Sequence, residues 1–215
     1  MILRVGTRPS RLAIRQAEEI ARYFPYAGCT IVPIATSGDK DKVTPLGDLE
    51  KSNFFTKEIE STLLRNEVDI AVHSAKDLEE DMPMGLAIAA LTKSISPYEC
   101  VVSRNHKTLA GLPRQAVVGT SSKKRRQAVY SYRKDLLVKD IRGDIEERLD
   151  KLDRGEFDAL IVAHAALIRL GIENRIAEIV LPSIIEPHWL QGRLAVQVRR
   201  DRKDLIRYVR RIHAG

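Results

Sequence analysis

Strand-like apolar runs alternate with helix-like segments along the chain, and this pattern predicts an α/β protein. The run Val68 to Val72 is rich in β-branched residues and apolar on both faces, which is typical of a strand buried in a parallel sheet. It is followed by Lys76 and Asp77. Ligands of open α/β sheets bind outside the carboxyl ends of the strands, so these two residues are expected at the mouth of a site. A solvated loop is the alternative.

A weak internal repeat divides the chain into two similar parts. Residues 4–16 and 117–127 each read as a strand end, a Gly-Thr turn, serine with cations and the start of a helix. A second helix is predicted over residues 57–65 in one part and 145–154 in the other, each followed by a strand. The strand of the second part is predicted over residues 159–163.

Asn66 and Gly155 lie where these second helices should end in a left-handed cap. Two similar α/β lobes facing each other across a ligand cleft would explain the repeat. The predicted lobes are residues 1–92 together with 193–215, and residues 93–192.

Composition narrows the class of protein. The chain has 215 residues, of which 44% are hydrophobic and 30% charged, and this is enough for two small cores. The sequence has no apolar run near the roughly 20 residues that cross a bilayer and no signal peptide, so a cytoplasmic location without a membrane partner is predicted. Cys29 and Cys100 are far apart, and neither has a Cys or His at metal-ligand spacing. We expect two ordinary thiols and no metal site.

The net charge of +7 is concentrated at one end of the chain. Residues 193–215 contain eight Lys or Arg and two Asp, so they supply six of the seven charges. A basic segment can bind nucleic acid. However, Leu205, Ile206, Val209 and Ile212 recur at helical spacing, which indicates a helix packed on the body, and no nucleic-acid partner is expected.

The first Gly-Thr turn has the features of an anion site. Gly6 permits a tight turn, and the hydroxyls of Thr7 and Ser10 can cap the helix that follows. A helix N-terminus attracts anions, and Arg8 adds a full positive charge beside it. A helix cap without a ligand is the alternative.

The second turn carries more charge. Thr120, Ser121 and Ser122 precede four cations, residues 123–126, at the start of a predicted helix. Four cations there oppose the helix macrodipole, and an arrangement that costs stability indicates a negatively charged ligand.

Further arginines follow other turns. Arg142 comes after a strand-like run at residues 136–138, and Arg148 lies on the next helix. The sequence contains neither a Walker A lysine motif nor a GxGxxG run. Arginines spread over several turns suit a ligand with many carboxylates, because each guanidinium can pair with one of them bidentately.

Eight motifs, in order over nearly the whole chain, together resemble the hydroxymethylbilane synthase family, also called porphobilinogen deaminase. They are Gly6-Thr7-Arg8 with Ser10, Leu12-Ala13 and Gln16; Thr36-x-Gly38-Asp39; Thr44-Pro45-Leu46; Phe55-x-Lys57-Glu58-Ile59-Glu60; Asp69-Ile70-Ala71-Val72-His73-Ser74-x-Lys76-Asp77; Gly119-Thr120-Ser121-Ser122; Arg142-Gly143; and Arg169-Leu170-Gly171.

The resemblance implies a soluble enzyme of tetrapyrrole synthesis whose first two domains are periplasmic-binding-protein-like (type II) lobes with a cleft between them. Members of the family join four porphobilinogen units head to tail and release ammonia each time. They do so on a dipyrromethane cofactor, which a cysteine of a third domain holds covalently.

The resemblance also implies roles for individual residues. Asp77 would be the catalytic aspartate, which assists proton transfer to the departing amine and stabilises the azafulvenium cation, and Lys76 beside it would bind a substrate carboxylate. The residues expected to bind substrate or polypyrrole are Arg8, Ser10, Thr120, Ser121, Ser122, Lys124, Arg125, Arg142, Arg148 and Arg169. For Arg148 and Arg169 an ordinary surface ion pair is the alternative. His73 is expected to be a core histidine.

The chain departs from the family pattern at several positions. Lys124 replaces an arginine, Asp144 an asparagine and Gln197 a glutamate. The sequence also stops at Gly215, so the third domain and its cofactor cysteine are expected to be absent. The primer would then be held without the usual bond, or a separate partner chain would replace the third domain.

Three functions are therefore compared. A short hydroxymethylbilane synthase acting on porphobilinogen is preferred, because Lys76 and Asp77 survive together with most of the arginines. The first alternative is a non-catalytic two-lobed protein that binds a pyrrole or another polycarboxylate. The second is a nucleic-acid or partner-binding module that uses the basic C-terminal segment.

Overall fold

The computed structural model describes residues 2–41, 54–79 and 81–214. These residues form two compact units. Unit 1 contains the described residues up to 95 together with 192–214, and unit 2 contains residues 96–191. The lobe boundaries expected from the sequence, after residues 92 and 192, stay a prediction.

Ten strands and seven α-helices are found in the described residues. The strands are β1 (Ile2–Thr7), β2 (Gly28–Pro33), β3 (Ile70–Ser74), β4 (Leu86–Leu91), β5 (Glu99–Ser103), β6 (Val117–Gly119), β7 (Leu137–Lys139), β8 (Ala159–Ala163), β9 (Ile176–Val180) and β10 (Leu194–Arg199). The α-helices are α1 (Arg11–Ala21), α2 (Ser37–Lys40), α3 (Lys57–Leu64), α4 (Lys123–Tyr132), α5 (Ile145–Asp153), α6 (His164–Leu170) and α7 (Lys203–Val209). Short 3-10 turns cover Ala75–Asp77, Arg104–His106, Glu173–Arg175 and Arg210–Ile212. Within the described ranges, no helix is long and apolar enough to span a bilayer.

The two units share one strand plan. The sheet of unit 1 has the order β2-β1-β3-β10-β4, and the sheet of unit 2 has the order β7-β6-β8-β5-β9. In each sheet the first three strands are parallel, and the fourth runs antiparallel to both of its neighbours. The chain also repeats its elements, since β1-α1-β2 matches β6-α4-β7 and α3-β3 matches α5-β8. The internal repeat predicted from the sequence is therefore confirmed.

Each sheet is buried on both faces. Ile70 and Val72 of β3 pack into one apolar cluster of unit 1, while Ala71 packs into another together with Val68 and residues of α3. In the same way Ile161 of β8 lies in one cluster of unit 2, and Leu160 and Val162 lie in the other. This two-sided burial is why these strands read as continuous apolar runs.

The strand bounds are close to those predicted. Strand β8 has the predicted limits, whereas β3 begins and ends two residues later than the apolar run from Val68 to Val72, and β7 begins and ends one residue later than predicted. At the start of β3 the carboxylate of Asp69 accepts hydrogen bonds from the backbone N–H of Arg4, at 2.8 Å, and from its guanidinium. A side chain thus supplies part of the pairing there, and the regular ladder begins at Ile70.

Helices α3 and α5 end in the same way. Asn66 and Gly155 adopt left-handed backbone conformations, with φ values of 60° and 80°. The next N–H, that of Glu67 or Glu156, donates back to a carbonyl of the last turn at 3.0 Å in both cases. The predicted left-handed caps are confirmed. Both helices stop one residue before the predicted end, because that residue is the C-cap.

The basic C-terminal segment returns to unit 1. Strand β10 lies between β3 and β4, and α7 packs on the sheet. Leu205 and Val209 are fully buried in the core, while Ile206 and Ile212 are partly buried against it. The predicted apolar helix face is confirmed, although the helix gives way to a 3-10 turn at Arg210.

Candidate active site

Lys76 and Asp77 lie in the 3-10 turn that directly follows β3. The N–H of Ala75 donates to the carbonyl oxygen of Arg193 at 3.0 Å, which ties this turn to the segment before β10. Lys76 is half-buried and Asp77 is exposed. Because β1 and β3 are parallel neighbours, the Lys76–Asp77 turn and the turn after β1 lie at the same edge of the sheet.

The turn after β1 is fixed by two hydroxyl groups. The buried hydroxyl of Thr7 is 3.2 Å from the carbonyl oxygen of Ala13 and 3.3 Å from that of Val72, so it links β1 to α1 and β3. Ser10 accepts a hydrogen bond from the N–H of Ala13 at 3.3 Å and is the N-cap of α1. The prediction that both hydroxyls cap the helix is thus confirmed for Ser10 and wrong for Thr7, whose hydroxyl donates to carbonyl groups.

Arg8 is held from two sides. Its Nε and Nη2 atoms both donate to Oδ1 of Asp39, at 3.0 and 2.5 Å, and its guanidinium carbon lies 4.3 Å from the ring centroid of Phe55. The other carboxylate oxygen of Asp39 accepts bonds from the N–H and hydroxyl of Thr36, at 3.0 and 2.8 Å. Burial opposes the charged form of Asp39, but the bonds from Arg8 and Thr36 outweigh it and lower its pKa.

Three buried polar side chains are linked by hydrogen bonds, starting at β3, the strand that precedes the Lys76–Asp77 turn. Nε2 of His73 on β3 lies 3.1 Å from Oε1 of Gln197 on β10, and Nε2 of Gln197 donates to the carboxylate of Glu60 on α3 at 2.9 Å. All three side chains are buried. Burial lowers the pKa of His73 to about 4, despite the opposing effects of its bond to Gln197 and of the charge of Asp77. His73 is thus a hydrogen-bonded core histidine, as predicted.

The hydroxyls of unit 2 organise the turn between β6 and α4. Ser122 is the N-cap of α4 and accepts a bond from the N–H of Arg125 at 3.3 Å. Its own N–H lies 3.4 Å from the hydroxyl of Thr120, which is fully buried. The half-buried Ser121 donates its hydroxyl to the carbonyl of Ile141, so it links this turn to the one after β7.

Arg125 forms a buried ion pair with Glu99 of β5. Its Nε and Nη2 atoms lie 2.8 and 2.7 Å from the two carboxylate oxygens, and its Nη1 donates to the carbonyl of Ile161 at 3.3 Å. The two side chains are only 13% and 5% exposed. Arg125, expected to bind a ligand, thus joins α4 to β5 and β8 in this structure.

The neighbouring cations are also paired with protein carboxylates, but at the surface. Lys124 lies 2.7 Å from Glu186, with side chains 52% and 80% exposed, and Arg126 pairs with Asp140. These carboxylates offset the repulsion between the first turn of α4 and its cations. The charge conflict that indicated a ligand is thus partly relieved by carboxylates of the protein.

Three further arginines of unit 2 follow the parallel strands. Arg142 comes after β7 and is only 8% exposed, and its carbonyl accepts a bond from Lys151 at 3.0 Å. Arg148 on α5 donates from Nε to the carbonyl of Gly143 at 2.8 Å. Arg169 lies half-buried in the last turn of α6, the helix after β8. Because β6, β7 and β8 are parallel, the turns after them lie at one edge of the sheet. Arg142 and the hydroxyls after β6 lie in these turns, whereas Arg148 and Arg169 lie on the helices α5 and α6.

Both cysteines are free thiols. Burial raises the pKa of Cys29 and, with the charge of Glu99 nearby, raises that of Cys100 to about 12. Each therefore remains a protonated thiol at neutral pH. In the described part of the chain, no group of three or more His, Cys, Asp or Glu side chains has the arrangement of a metal site.

The predicted residues thus fall into two groups, one in each unit. Arg8, Ser10, Lys76 and Asp77 lie at the carboxyl edge of the first sheet, and the remaining predicted residues follow the parallel strands of the second. Sequence reasoning assigned no role to Asp39 and Phe55, although both lie within motifs noted above, and it missed Glu99 and Glu186 entirely. The motif Thr44-Pro45-Leu46 lies outside the described residues.

Comparison with known proteins gives a consistent result. Residues 3–207 match the family model described as "Porphobilinogen deaminase, dipyromethane cofactor binding domain". The chain is 44% identical over 199 residues to the "Probable porphobilinogen deaminase" of Methanocella arvoryzae, covering 92% of this chain and 65% of that protein. It is 38% identical over 207 residues to the porphobilinogen deaminase of Legionella pneumophila strain Lens, covering 93% and 66%. The chain thus spans about two thirds of the length of these relatives.

Solved structures share the fold at low sequence identity. An ancestral arginine-binding protein bound to arginine matches with a TM-score of 0.51 and 16% identity, covering 98% of this chain and 90% of that one. The periplasmic VFT2 domain of Bordetella pertussis BvgS matches with a TM-score of 0.55 and 12% identity, covering 98% and 86%. The fold is therefore periplasmic-binding-protein-like, as predicted. At this identity the likeness concerns the fold alone.

Proposed function

Because the chain belongs to the porphobilinogen deaminase family, we propose that it acts as a hydroxymethylbilane synthase in tetrapyrrole biosynthesis. The reaction joins porphobilinogen units head to tail with release of ammonia. The observation that carries this proposal is the exposed carboxylate of Asp77 beside Lys76, on a turn fixed at the carboxyl edge of the first sheet.

Asp77 has the chemistry that this reaction needs. When ammonia leaves the aminomethyl group of porphobilinogen, the C–N bond breaks and the pyrrole becomes an azafulvenium cation. A carboxylate next to the pyrrole N–H stabilises this positive charge, and it can also assist the proton transfer that turns the departing amine into ammonia. The Lys76–Asp77 turn is tied through Ala75 to the segment before β10, so the backbone that carries the carboxylate is held in place before the substrate arrives.

Cations of unit 1 would bind the acidic side chains of the substrate. Porphobilinogen carries an acetate and a propionate group, and both are ionised at neutral pH. We assign Lys76 and Arg8 to these carboxylates, since both lie at the edge of the sheet where Asp77 is found. Ser10 supports the same turn as the N-cap of α1.

The residues of unit 2 fit the family's dipyrromethane cofactor. Guanidinium and hydroxyl donors after β6, β7 and β8 suit a group that carries several carboxylates. Arg142, Arg148, Arg169, Lys124, Ser121 and Ser122 would hold these carboxylates. When bound, the cofactor supplies the pyrrole carbon to which the first substrate unit is joined. Thr120 is buried and Arg125 is paired with Glu99, so these two residues would hold the β6–α4 turn that carries some of these donors in place.

Incubation of the purified protein with porphobilinogen tests the proposal. Released ammonia and hydroxymethylbilane are measured, and the intact mass is recorded before and after to show whether pyrrole units stay attached. We expect both products. Saturable calorimetric binding of porphobilinogen without ammonia release would contradict the proposal and indicate a binding protein of the same fold.

A further inference from the structure

The guanidinium of Arg8 is held in unit 1 by an ion pair with Asp39 and by the ring of Phe55. Its side chain is 28% exposed and that of Asp39 is 14% exposed, so the ion pair is largely withdrawn from solvent. On its other side the guanidinium lies over the ring of Phe55 at 4.3 Å. A carboxylate on one side and an aromatic face on the other restrict the positions that the guanidinium can adopt.

The group that holds Arg8 is itself fixed by other bonds. Asp39 belongs to a capping box at the start of α2, in which Thr36 donates to its second carboxylate oxygen. The N–H and hydroxyl of Ser37 both donate to Glu58 on α3, at 3.0 and 2.5 Å. The orientation of the Asp39 carboxylate is therefore set from two sides before any ligand binds.

Gly38 allows the aromatic face to approach. A Cβ atom at this position would lie 2.2 Å from Cε1 of Phe55 and 2.9 Å from Cδ1 of Phe54. The N–H of Gly38 also donates to the carbonyl of Phe54 at 2.8 Å. Only glycine therefore leaves room for the Phe55 ring where the structure places it, beneath Arg8.

Among the described residues, the contacts leave one edge of the guanidinium without a hydrogen-bond acceptor. Asp39 accepts through a single oxygen from Nε and from one hydrogen of Nη2. A guanidinium carries five N–H donors, so both hydrogens of Nη1 and one of Nη2 remain. These belong to the fork that receives a carboxylate bidentately, and no described residue accepts a hydrogen bond from Nη1.

We propose that Asp39 is a positioning residue that, together with Phe55, preorganises Arg8 to receive one carboxylate of the substrate through its outer edge. The proposal rests on the proposed function, since that function supplies the carboxylate. Asp39 does not touch the ligand but acts through Arg8. Removing the charge of Asp39 makes the surroundings of Arg8 more positive, which favours binding of a carboxylate. Binding is nevertheless expected to weaken, because the loss of order in the guanidinium outweighs this gain.

The test measures the dissociation constant of porphobilinogen by calorimetry and the kinetics of ammonia release. We expect Asp39→Asn to raise both Kd and KM about tenfold, with kcat changed less than about threefold. Asp81→Asn is the matched control, because Asp81 is an exposed aspartate of the same unit. This control is expected to leave binding unchanged.

A double-mutant cycle separates positioning from a structural role. In an Arg8→Lys background, which cannot form the bidentate fork, Asp39→Asn should have less than about a twofold further effect on Kd. Asp39→Glu should recover part of the affinity. Phe55→Leu provides a second variant, which keeps an apolar side chain and should also raise Kd.

Two results would overturn the inference. One is tighter binding in Asp39→Asn, which would make Asp39 a competitor of the ligand for Arg8. The other is an equal loss of affinity on Asp39→Asn in the Arg8→Lys background. Failure of the proposed function is distinct, since wild-type protein would then bind porphobilinogen without releasing ammonia, while the comparison of affinities would still decide the role of Asp39.

Discussion

Single residues of the candidate site differ mainly in how deeply their charges are buried. Arg125 and Glu99 are nearly inaccessible to water, whereas Lys124 and Glu186 are largely exposed. Exposed ion pairs contribute little because water and salt screen them. Breaking a buried pair leaves an uncompensated charge inside the protein. Breaking the Arg125–Glu99 ion pair should therefore destabilise the fold much more than breaking the Lys124–Glu186 pair.

Replacing Glu99 by Gln tests this difference. We expect the change to lower the free energy of unfolding by about 3 to 5 kcal/mol, because Arg125 keeps its charge and loses its partner. Glu186→Gln removes the partner of Lys124 and should cost less than about 1 kcal/mol. Urea unfolding followed by circular dichroism measures both variants. Equal costs would show that burial does not set the strength of the Arg125 pair.

His73 should make the protein sensitive to mild acid. Burial holds its pKa at about 4, below the ordinary value of 6.5, so the unfolded chain binds the proton more tightly than the folded protein. The contribution of His73 to the free energy of unfolding is fully present above pH 6.5 and is lost as the pH falls towards 4. Between pH 7 and 4.5 we expect a loss of about 2 to 3 kcal/mol.

Urea unfolding of His73→Gln at both pH values measures the contribution of this one group. The variant should lose clearly less stability on acidification than wild type does. His106→Gln is the control, because His106 is exposed and its loss should leave the pH dependence unchanged. An unchanged pH dependence in His73→Gln would contradict the buried neutral state.

The sequence predicted which residues carry charge at the site but not which residues they contact. Arg8 meets Asp39 and Arg125 meets Glu99 across 31 and 26 positions, and His73 meets Gln197 across 124. Such pairs leave no local pattern, because helical spacing brings together only residues three or four apart. The sequence therefore did not show that Arg125 has a carboxylate partner within the protein, and its predicted contact with a ligand stays a prediction.

At the scale of elements, local chemistry sets the ends of the helices. Asp144, which replaces an asparagine of the family pattern, is the N-cap of α5. Its carboxylate accepts a bond from the N–H of Glu147 at 2.9 Å, and the Glu147 side chain accepts one from the N–H of Asp144 at 3.0 Å. This reciprocal capping box gives Asp144 a structural role that asparagine at the same position could also fill.

Loss of this cap should be measurable. Asp144→Ala is expected to lower the free energy of unfolding by about 1 kcal/mol. Asp144→Asn should keep most of the stabilisation that the N-cap provides, because asparagine is also a good N-cap. Urea denaturation compares the two. If alanine and asparagine have the same effect, the capping box does not contribute as the contacts indicate.

Elements were predicted best where the signal is local. Asn66 and Gly155 were recognised as left-handed caps because few other residue types suit that conformation. The limits of β8 were also predicted, since its apolar run is bounded by polar residues. The start of β3 was missed because the Asp69 side chain, not the apolar pattern, decides where regular pairing with β1 begins.

At the scale of the whole molecule, the repeat in the sequence corresponds to a repeat in topology. Each unit places its turns at the carboxyl edge of three parallel strands and inserts one antiparallel strand from a distant part of the chain. The parallel part follows from the repeated strand and helix patterns. The antiparallel insertion of β10 and β5 does not, because nothing local in a strand specifies which two strands it will pair with.

The central claim is that Asp77 provides the catalytic carboxylate, and a comparison of two isosteric variants tests it most directly. Ammonia release from porphobilinogen is measured for wild type, Asp77→Asn and Asp81→Asn. Both changes remove one exposed carboxylate from unit 1, four residues apart. We expect kcat to fall by at least about a hundredfold in Asp77→Asn and to stay within about twofold in Asp81→Asn. Full turnover in Asp77→Asn would contradict the claim.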